Sequence, residues 1–512
     1  MKSPTRHPLA VANMVTAALA LVAAIGATGT RALAEMIVVS TVPTAGMQQF
    51  PADLPVSASQ GFWNPDQDGP CITPAQHAEI EAYLAANVAD LKARGLLPET
   101  PDKAAGVLLQ WPVKAAPGLD DPGVHGISNF VDENLAYPNQ VRDYNCGTRT
   151  YDNASAYNHA GTDIFSWPFP WYRMDHDQVQ VVAAAPGVII GKDDGNYDRR
   201  CSGSGLLWNA VYVQHADGSV AWYGHLKKLS LTAKNIGDPV AVGEYIGIVG
   251  SSGNSSGPHL HLEIYDNAGH LVDPWLGACN TMNPDGWWAA QRPYYDSAIN
   301  ALRTHSIAPV LPACPNAETI NENRYFAPGG LAFFSAYYRD QRQGQLSTYE
   351  VLRPNGTVWQ QWTASLGVPY YAASYWYWSW YLPVDAETGT WTFRVTYEGQ
   401  VVTRTFGVGV VADAPLAVAD GVTTLHPAEP NPFNPSTTIR FSLGEAGPAQ
   451  LSVHDLQGRR IATLREGVLP AGEQSVVWNG RGVGGALMGS GVYLVHLRSG
   501  GRDHVERVVL LK

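Results

Sequence analysis

From about residue 107 to 278 the apolar residues come in short runs separated by turn-forming stretches: VVAAAPGVII, NAVYVQH, VAWYGHL, YIGIVG and HLHLEIY. Runs of this length, bounded this way, read as strands. Composition agrees. The chain holds 51 Gly, 36 Pro, 16 Trp and 24 Tyr, and only 15% of it is charged. Many turn-formers and aromatics with little charge predict a mainly β, extracytoplasmic protein rather than a helical cytosolic enzyme. At 512 residues there is room for three or four domains.

The last run carries chemistry. In GPHLHLEI, residues i and i+2 of a strand share a face, so Leu260, Leu262 and Ile264 point one way. His259, His261 and Glu263 point the other. Alone, this pattern fits a half-buried strand with two solvated histidines as well as a ligand pair. Two other segments add to it. NHAGTDI supplies His159 and Asp163, with Gly161 allowing a tight backbone between them, and WYGHL supplies His225. Two imidazoles, one carboxylate and an open position make a catalytic zinc site rather than a closed structural one. A water bound there has its pKa lowered towards about 7. Cleavage then needs a general base and a donor for the developing oxyanion, and two histidines are left over for those tasks. Periodicity does not say which histidine does which.

The order H-x-x-x-D, Y-x-H-L, G-P-H-L-H-x-E resembles the lysostaphin/LytM-type zinc endopeptidases, which cut peptide cross-links in bacterial cell walls. VVAAAPGVIIG and GDPVAVGEYIGIVGSSGNSSGPHLHLEI resemble that family's framework, and the likeness covers roughly residues 140–278. The resemblance implies an antiparallel β-sheet peptidase domain with His159, Asp163 and His261 as Zn2+ ligands and His225 and His259 as the catalytic pair. It also implies peptidoglycan peptide as the substrate. The alternatives are a secreted protease acting on Gly-rich proteins and a metal- or wall-binding module without catalysis.

The flanks predict export. Lys2 and Arg6 precede an apolar stretch from Leu9 to about Ala27, and Ala32-Leu33-Ala34 offers a cleavage site, so residues 1–34 read as a signal peptide. No later stretch is long and apolar enough to span a bilayer. Removing 1–34 takes Lys2, Arg6 and Arg31, leaving 30 basic against 45 acidic side chains, a net charge of −15. That balance argues against nucleic acid as a partner. In TPAQHAEIEAYLAANVADLKARG, Thr73, Pro74 and Gln76 form a capping box and Gly95 a stop. A helix over 73–95, with Ile80, Tyr83, Leu84, Val88 and Leu91 as its apolar stripe, is therefore expected within an extension, 35–106, that is a candidate pro-segment.

The domain plan continues with a peptidase domain at 107–300, an Ig-like β-sandwich at 301–410, a small-residue linker at 411–424 and a C-terminal unit at 425–512. GTWTFRVTYEGQVVTRTFGV predicts two strands joined at Glu398-Gly399. YYAASYWYWSWYLP, 370–383, reads as a sandwich strand buried on one face, with a glycan-stacking platform as the alternative. NPFNPSTTIRF, VHDLQGRRIATL, WNGRG and SGVYLVHL resemble the Ig-like C-terminal sorting domains of type IX secretion. That likeness implies outer-membrane secretion machinery as a partner and a secreted or cell-surface location reached through the periplasm. Five cysteines in an exported chain allow two disulfides. The expected pairs are Cys146–Cys201 and Cys279–Cys314, with Cys71 free. Asp175, His176 and Asp177 read as a solvated loop, Asp193–Asp198 as a turn, and His215 as a strand end. His426, His454, His496 and His504 read as scattered surface residues.

Overall fold

The computed structural model describes residues 70–512 apart from 103–105, 154–156, 204–205, 312–313, 315–317, 319, 410–422 and, towards the C-terminus, 429–430, 435, 445–446, 470–471, 483–485 and 512. The expected signal peptide, the extension before Pro70 and nearly all of the expected linker lie outside the described residues. The chain is mainly β, with 45% strand and 6% helix.

One antiparallel sheet dominates the first β region. Its strands run in the order Pro239–Val240, Gly187–Asp193, Ala210–Gln214, Val220–Gly224, His259–Tyr265, Thr162–Ser166 and His125–Asn129. Leu260, Leu262 and Ile264 enter a core with Ile164, Val211, Val213, Ala221 and Tyr223, so the alternation is as the sequence predicts. The opposite face differs from the solvated alternative: every residue of His259–Tyr265 is buried. What covers part of that face is the N-terminal segment. Its helix, Pro74–Ala93, begins with the predicted capping box at Thr73 and Gln76. Leu84 and Leu91 are buried in a second cluster with Ile190, Trp208, Tyr212, Trp222 and Tyr265.

The second β region has two sheets. Ala298–His305, Leu331–Arg342 and Tyr370–Tyr381 form one, and the five strands of the other include Gly389–Tyr397 and Gln400–Val408. The latter pair turn at Glu398 (φ 46°) and Gly399 (φ 76°), the two positive φ values a two-residue hairpin requires. The aromatic strand is a sandwich strand, but Tyr370–Tyr375 is buried on both faces. Tyr370, Tyr371 and Tyr375 share a cluster with Phe165, Trp167 and Phe169 of the first region. Trp378 and Trp380 lean on Tyr349 and Trp362 at ring separations of 4.4 Å. The C-terminal unit pairs a three-stranded with a four-stranded sheet around Ile439, Phe441, Leu451, Trp478 and Val495. There His454 and His496 are not scattered. They lie on paired strands with ring centroids 4.5 Å apart.

The disulfide pairing corrects the expectation. Cys146 joins Cys279 and Cys201 joins Cys314, with Cα separations of 5.1 and 5.7 Å. The first pairing follows from the turn at Asp143–Gly147, because the Cys279 N–H donates to the Tyr144 carbonyl at 2.8 Å and brings those backbones side by side. Cys71 is free and buried.

Buried charge joins the two regions. Arg149 donates to Asp340 at 3.0 Å, and Arg173 to Asp121 at 2.6 Å, while Arg303 also reaches Asp121. All five side chains are nearly solvent-free. Asp121→Ala would leave two buried guanidinium groups without their shared carboxylate, a change that typically costs about 3–5 kcal/mol. Chemical denaturation should show that loss, and an unchanged midpoint would contradict the cluster's role.

Candidate metal centre

Three antiparallel strands bring the predicted residues together. Asp163 lies opposite His261 in the pairing of Thr162–Ser166 with His259–Tyr265, and Gly224 lies opposite His261 on the other side. His225 follows Gly224 with φ 60°, a left-handed conformation uncommon outside glycine. Gly161 is needed where it stands, since a Cβ there would come within 2.8 Å of the His261 ring and of the Leu262 carbonyl.

His159, Asp163 and His261 converge. His159 Nε2 is 3.1 Å from Asp163 Oδ2 and 3.3 Å from His261 Nδ1, and His261 Nδ1 is 2.7 Å from Asp163 Oδ1. Tetrahedral ligands about 2.0–2.1 Å from a zinc ion lie roughly 3.3 Å apart, so this donor set suits one such ion. The remaining ring nitrogens are held elsewhere. His159 Nδ1 donates to the Phe130 carbonyl at 2.6 Å, and His261 Nε2 faces Glu263 Oε1 at 2.8 Å. Such outer contacts fix the tautomer that presents a lone pair to a metal.

The other two histidines adjoin this triad. His225 and His259 have ring centroids 4.5 Å apart, and His259 Nε2 is 3.6 Å from Asp163 Oδ1. His225 Nδ1 lies 2.6 Å from the Ser252 carbonyl and His259 Nδ1 2.8 Å from the Gly257 carbonyl. Carbonyls only accept, so both Nδ1 atoms carry the proton. Burial pushes His225 well below the usual histidine range, with charge on His259 and His261 adding to it. Burial likewise lowers His259, against the opposing pull of Asp163. For Asp163 burial acts upward, yet charge on His159 and His259 holds its carboxyl well below the usual range.

Several contributors were not identified from the sequence. Asn129 is fully buried and donates from Nδ2 to Asp163 Oδ2 at 2.9 Å, aiming that carboxylate. Glu263 shares the histidine face in the sequence pattern, where nothing marks its task. It also accepts from Tyr265 Oη at 2.6 Å, and Tyr265 in turn meets His77 of the N-terminal helix at 2.7 Å. Cys71 sits inside the site, its Sγ 2.7 Å from His225 Nε2, where its unmatched count among five cysteines was the one available signal. The weaker candidates fall outside. Asp175 and Asp177 pair with Arg199 and Lys227 near the surface, and His215 donates to the Pro186 carbonyl just past a strand end.

Comparison with known proteins converges on the same segment. Residues 158–274 match the model of Peptidase family M23. The protein described as DD-carboxypeptidase/endopeptidase Mpg from Neisseria meningitidis serogroup B is 39% identical over 127 residues, 24% of this chain and 26% of the relative. A protein of Buchnera aphidicola described as an uncharacterized metalloprotease is 40% identical over 57 residues, 11% of this chain and 14% of that one. The chain thus spans about a quarter or less of the length of these relatives. A solved catalytic domain of the prophage-encoded M23 protein EnpA from Enterococcus faecalis aligns at 21% identity, covering 34% of this chain and 94% of its own, with a TM-score of 0.17. All five candidate residues fall inside the matched segment, and residues 158–274 are a Peptidase family M23 domain.

Proposed function

We propose that the chain is an exported zinc metalloendopeptidase that hydrolyses peptide bonds in peptidoglycan. The observation that carries this reading is the convergence of His159 Nε2, Asp163 and His261 Nδ1 beside two further imidazoles. The printed description of the Neisseria relative, a DD-carboxypeptidase/endopeptidase, supports the substrate class.

His159, Asp163 and His261 would hold the ion. When bound, zinc supplies Lewis acidity and a water acidic enough to lose its proton near neutrality. The chain's own residues do the rest. With Nδ1–H committed to the backbone, His225 and His259 each present Nε2 to the site in a form that burial keeps neutral. One Nε2 accepts the proton released on attack. The protonated imidazole then donates Nε2–H, first to the developing oxyanion and afterwards to the leaving amine. Glu263 orients His261, and Asn129 orients Asp163. We assign the C-terminal unit, 425–512, to export through the outer membrane, on its resemblance to sorting domains.

Three outcomes test this reading. Mass spectrometry of muropeptides should show peptide-bond cleavage by the purified chain that chelator abolishes and zinc restores. Cleavage of Gly-rich proteins alone would move the substrate, and bound metal without turnover, in Cys71→Ala as in the parent, would make this a binding module.

Among variants, His159→Ala and Asp163→Ala should lose zinc by elemental analysis. His225→Ala and His259→Ala should keep it while losing about 10²–10⁴-fold in rate. Metal loss in either of the latter pair would mean that a ligand and a catalyst have been exchanged. Glu263→Gln should weaken zinc binding roughly 10–100-fold with the fold intact.

Deleting 425–512 should leave zinc content and cleavage nearly unchanged in vitro, because none of the proposed site residues lies there. In the native host the truncated chain should be retained inside the outer membrane. Equal release of both forms into the medium would contradict the assignment.

A further inference from the structure

The structure assigns Cys71 to the active site itself: we propose that its thiolate is a metal ligand supplied by the N-terminal segment, and that it holds the enzyme latent until that segment withdraws. The inference rests on the metallopeptidase reading above and names its regulation.

Cys71 is not an isolated thiol. Its Sγ lies 2.7 Å from His225 Nε2, and Cys71, His225 and His259 offer ligand atoms all within 4.8 Å of one another. His259 Nε2 in turn lies 3.6 Å from Asp163 Oδ1, so the cluster that holds the sulfur borders the proposed ligand triad. A catalytic zinc site keeps one position open for water and substrate, and thiolate is a stronger zinc ligand than either. A sulfur bound there excludes water from the metal and occupies the Nε2 atom that would take the proton.

The segment is built to hold that position. Asn254 Nδ2 donates to the Pro70 carbonyl at 2.7 Å, while Asn254 Oδ1 accepts from the Leu206 N–H at 3.0 Å. Gln76 Nε2 donates to the Leu206 carbonyl at 2.9 Å, and the same Gln76 caps the helix. Further along, Asn87 Nδ2 donates to the Ile190 carbonyl at 2.8 Å, and Leu84 and Leu91 are buried. Helix and thiol therefore act as one piece. The segment is also separable: the helix ends at Ala93, and Leu96, Glu99 and Leu108 beyond it are exposed, open to proteolysis. Withdrawal would break the sulfur–metal bond; a water would take the vacated position and give up one proton to the departing thiolate, leaving a thiol and a hydroxide at the site.

The test compares the purified chain with Cys71→Ser and Cys71→Ala, each loaded with cobalt(II) in place of zinc. The parent should show a near-ultraviolet thiolate-to-cobalt charge-transfer band, absent from both variants, with about one metal per chain throughout. Iodoacetamide should alkylate Cys71 slowly in the metal-loaded chain and quickly once chelator removes the metal. Both variants should cleave peptidoglycan peptide roughly tenfold faster or more, as expected when most of the parent is in a closed state.

A missing charge-transfer band, or alkylation that chelator does not change, would overturn the proposal and leave Cys71 a core thiol. Two metals per chain would overturn it as well, making Cys71, His225 and His259 a second site. If the band is present but no variant cleaves any peptide, the latency ligand stands as a metal ligand and the peptidase reading fails. A chain that takes up no metal overturns both.

Discussion

Buried charge without solvent is what the first β region has to solve. Asp163, Glu263, His159, His225, His259 and His261 are all at most 2% exposed, and they face one another across a space a few side chains wide. Carboxylates removed from water are costly unless paired, and imidazoles alone pair them only when protonated. A divalent cation would answer the constraint, neutralising Asp163 and taking the lone pairs of two imidazoles whose other nitrogens are already committed. The rest of the region is arranged around that requirement, from the backbone carbonyls at Phe130, Ser252 and Gly257 to the amide of Asn129.

Sheet register supplies the precision. Strand neighbours place side chains at fixed spacings, so pairing Asp163 with His261, and His261 with Gly224, positions three segments without help from flexible loops. A shift of one residue in His259–Tyr265 would exchange the histidine face for the leucine face, and the apolar core on the far side prevents it. Core and site are therefore two faces of one strand, each fixing the other.

Much of this was legible beforehand. The alternation at 259–265, the capping box at Thr73 and the hairpin at Glu398-Gly399 are local patterns, and local patterns survive folding when packing agrees with them. The candidate residues were legible because HxH, HxxxD and YxHL each carry their chemistry within a few positions. What escaped was set by distance along the chain. Asn129 reaches Asp163 from another strand, and Cys71 reaches His225 across 154 positions. Disulfide pairing failed for the same reason, since the backbone contact between Tyr144 and Cys279 that selects Cys146–Cys279 exists only in the folded sheet. Burial of the aromatic strand on both faces likewise needed knowledge of a neighbouring region.

The most direct measurement is X-ray absorption at the zinc edge on the purified, zinc-loaded chain. The expected result is a four-ligand shell containing two imidazoles and one carboxylate oxygen, with a single sulfur at about 2.3 Å. In Cys71→Ser the sulfur should vanish while both imidazoles remain. A shell without imidazole, or one dominated by sulfur, would contradict the centre described here.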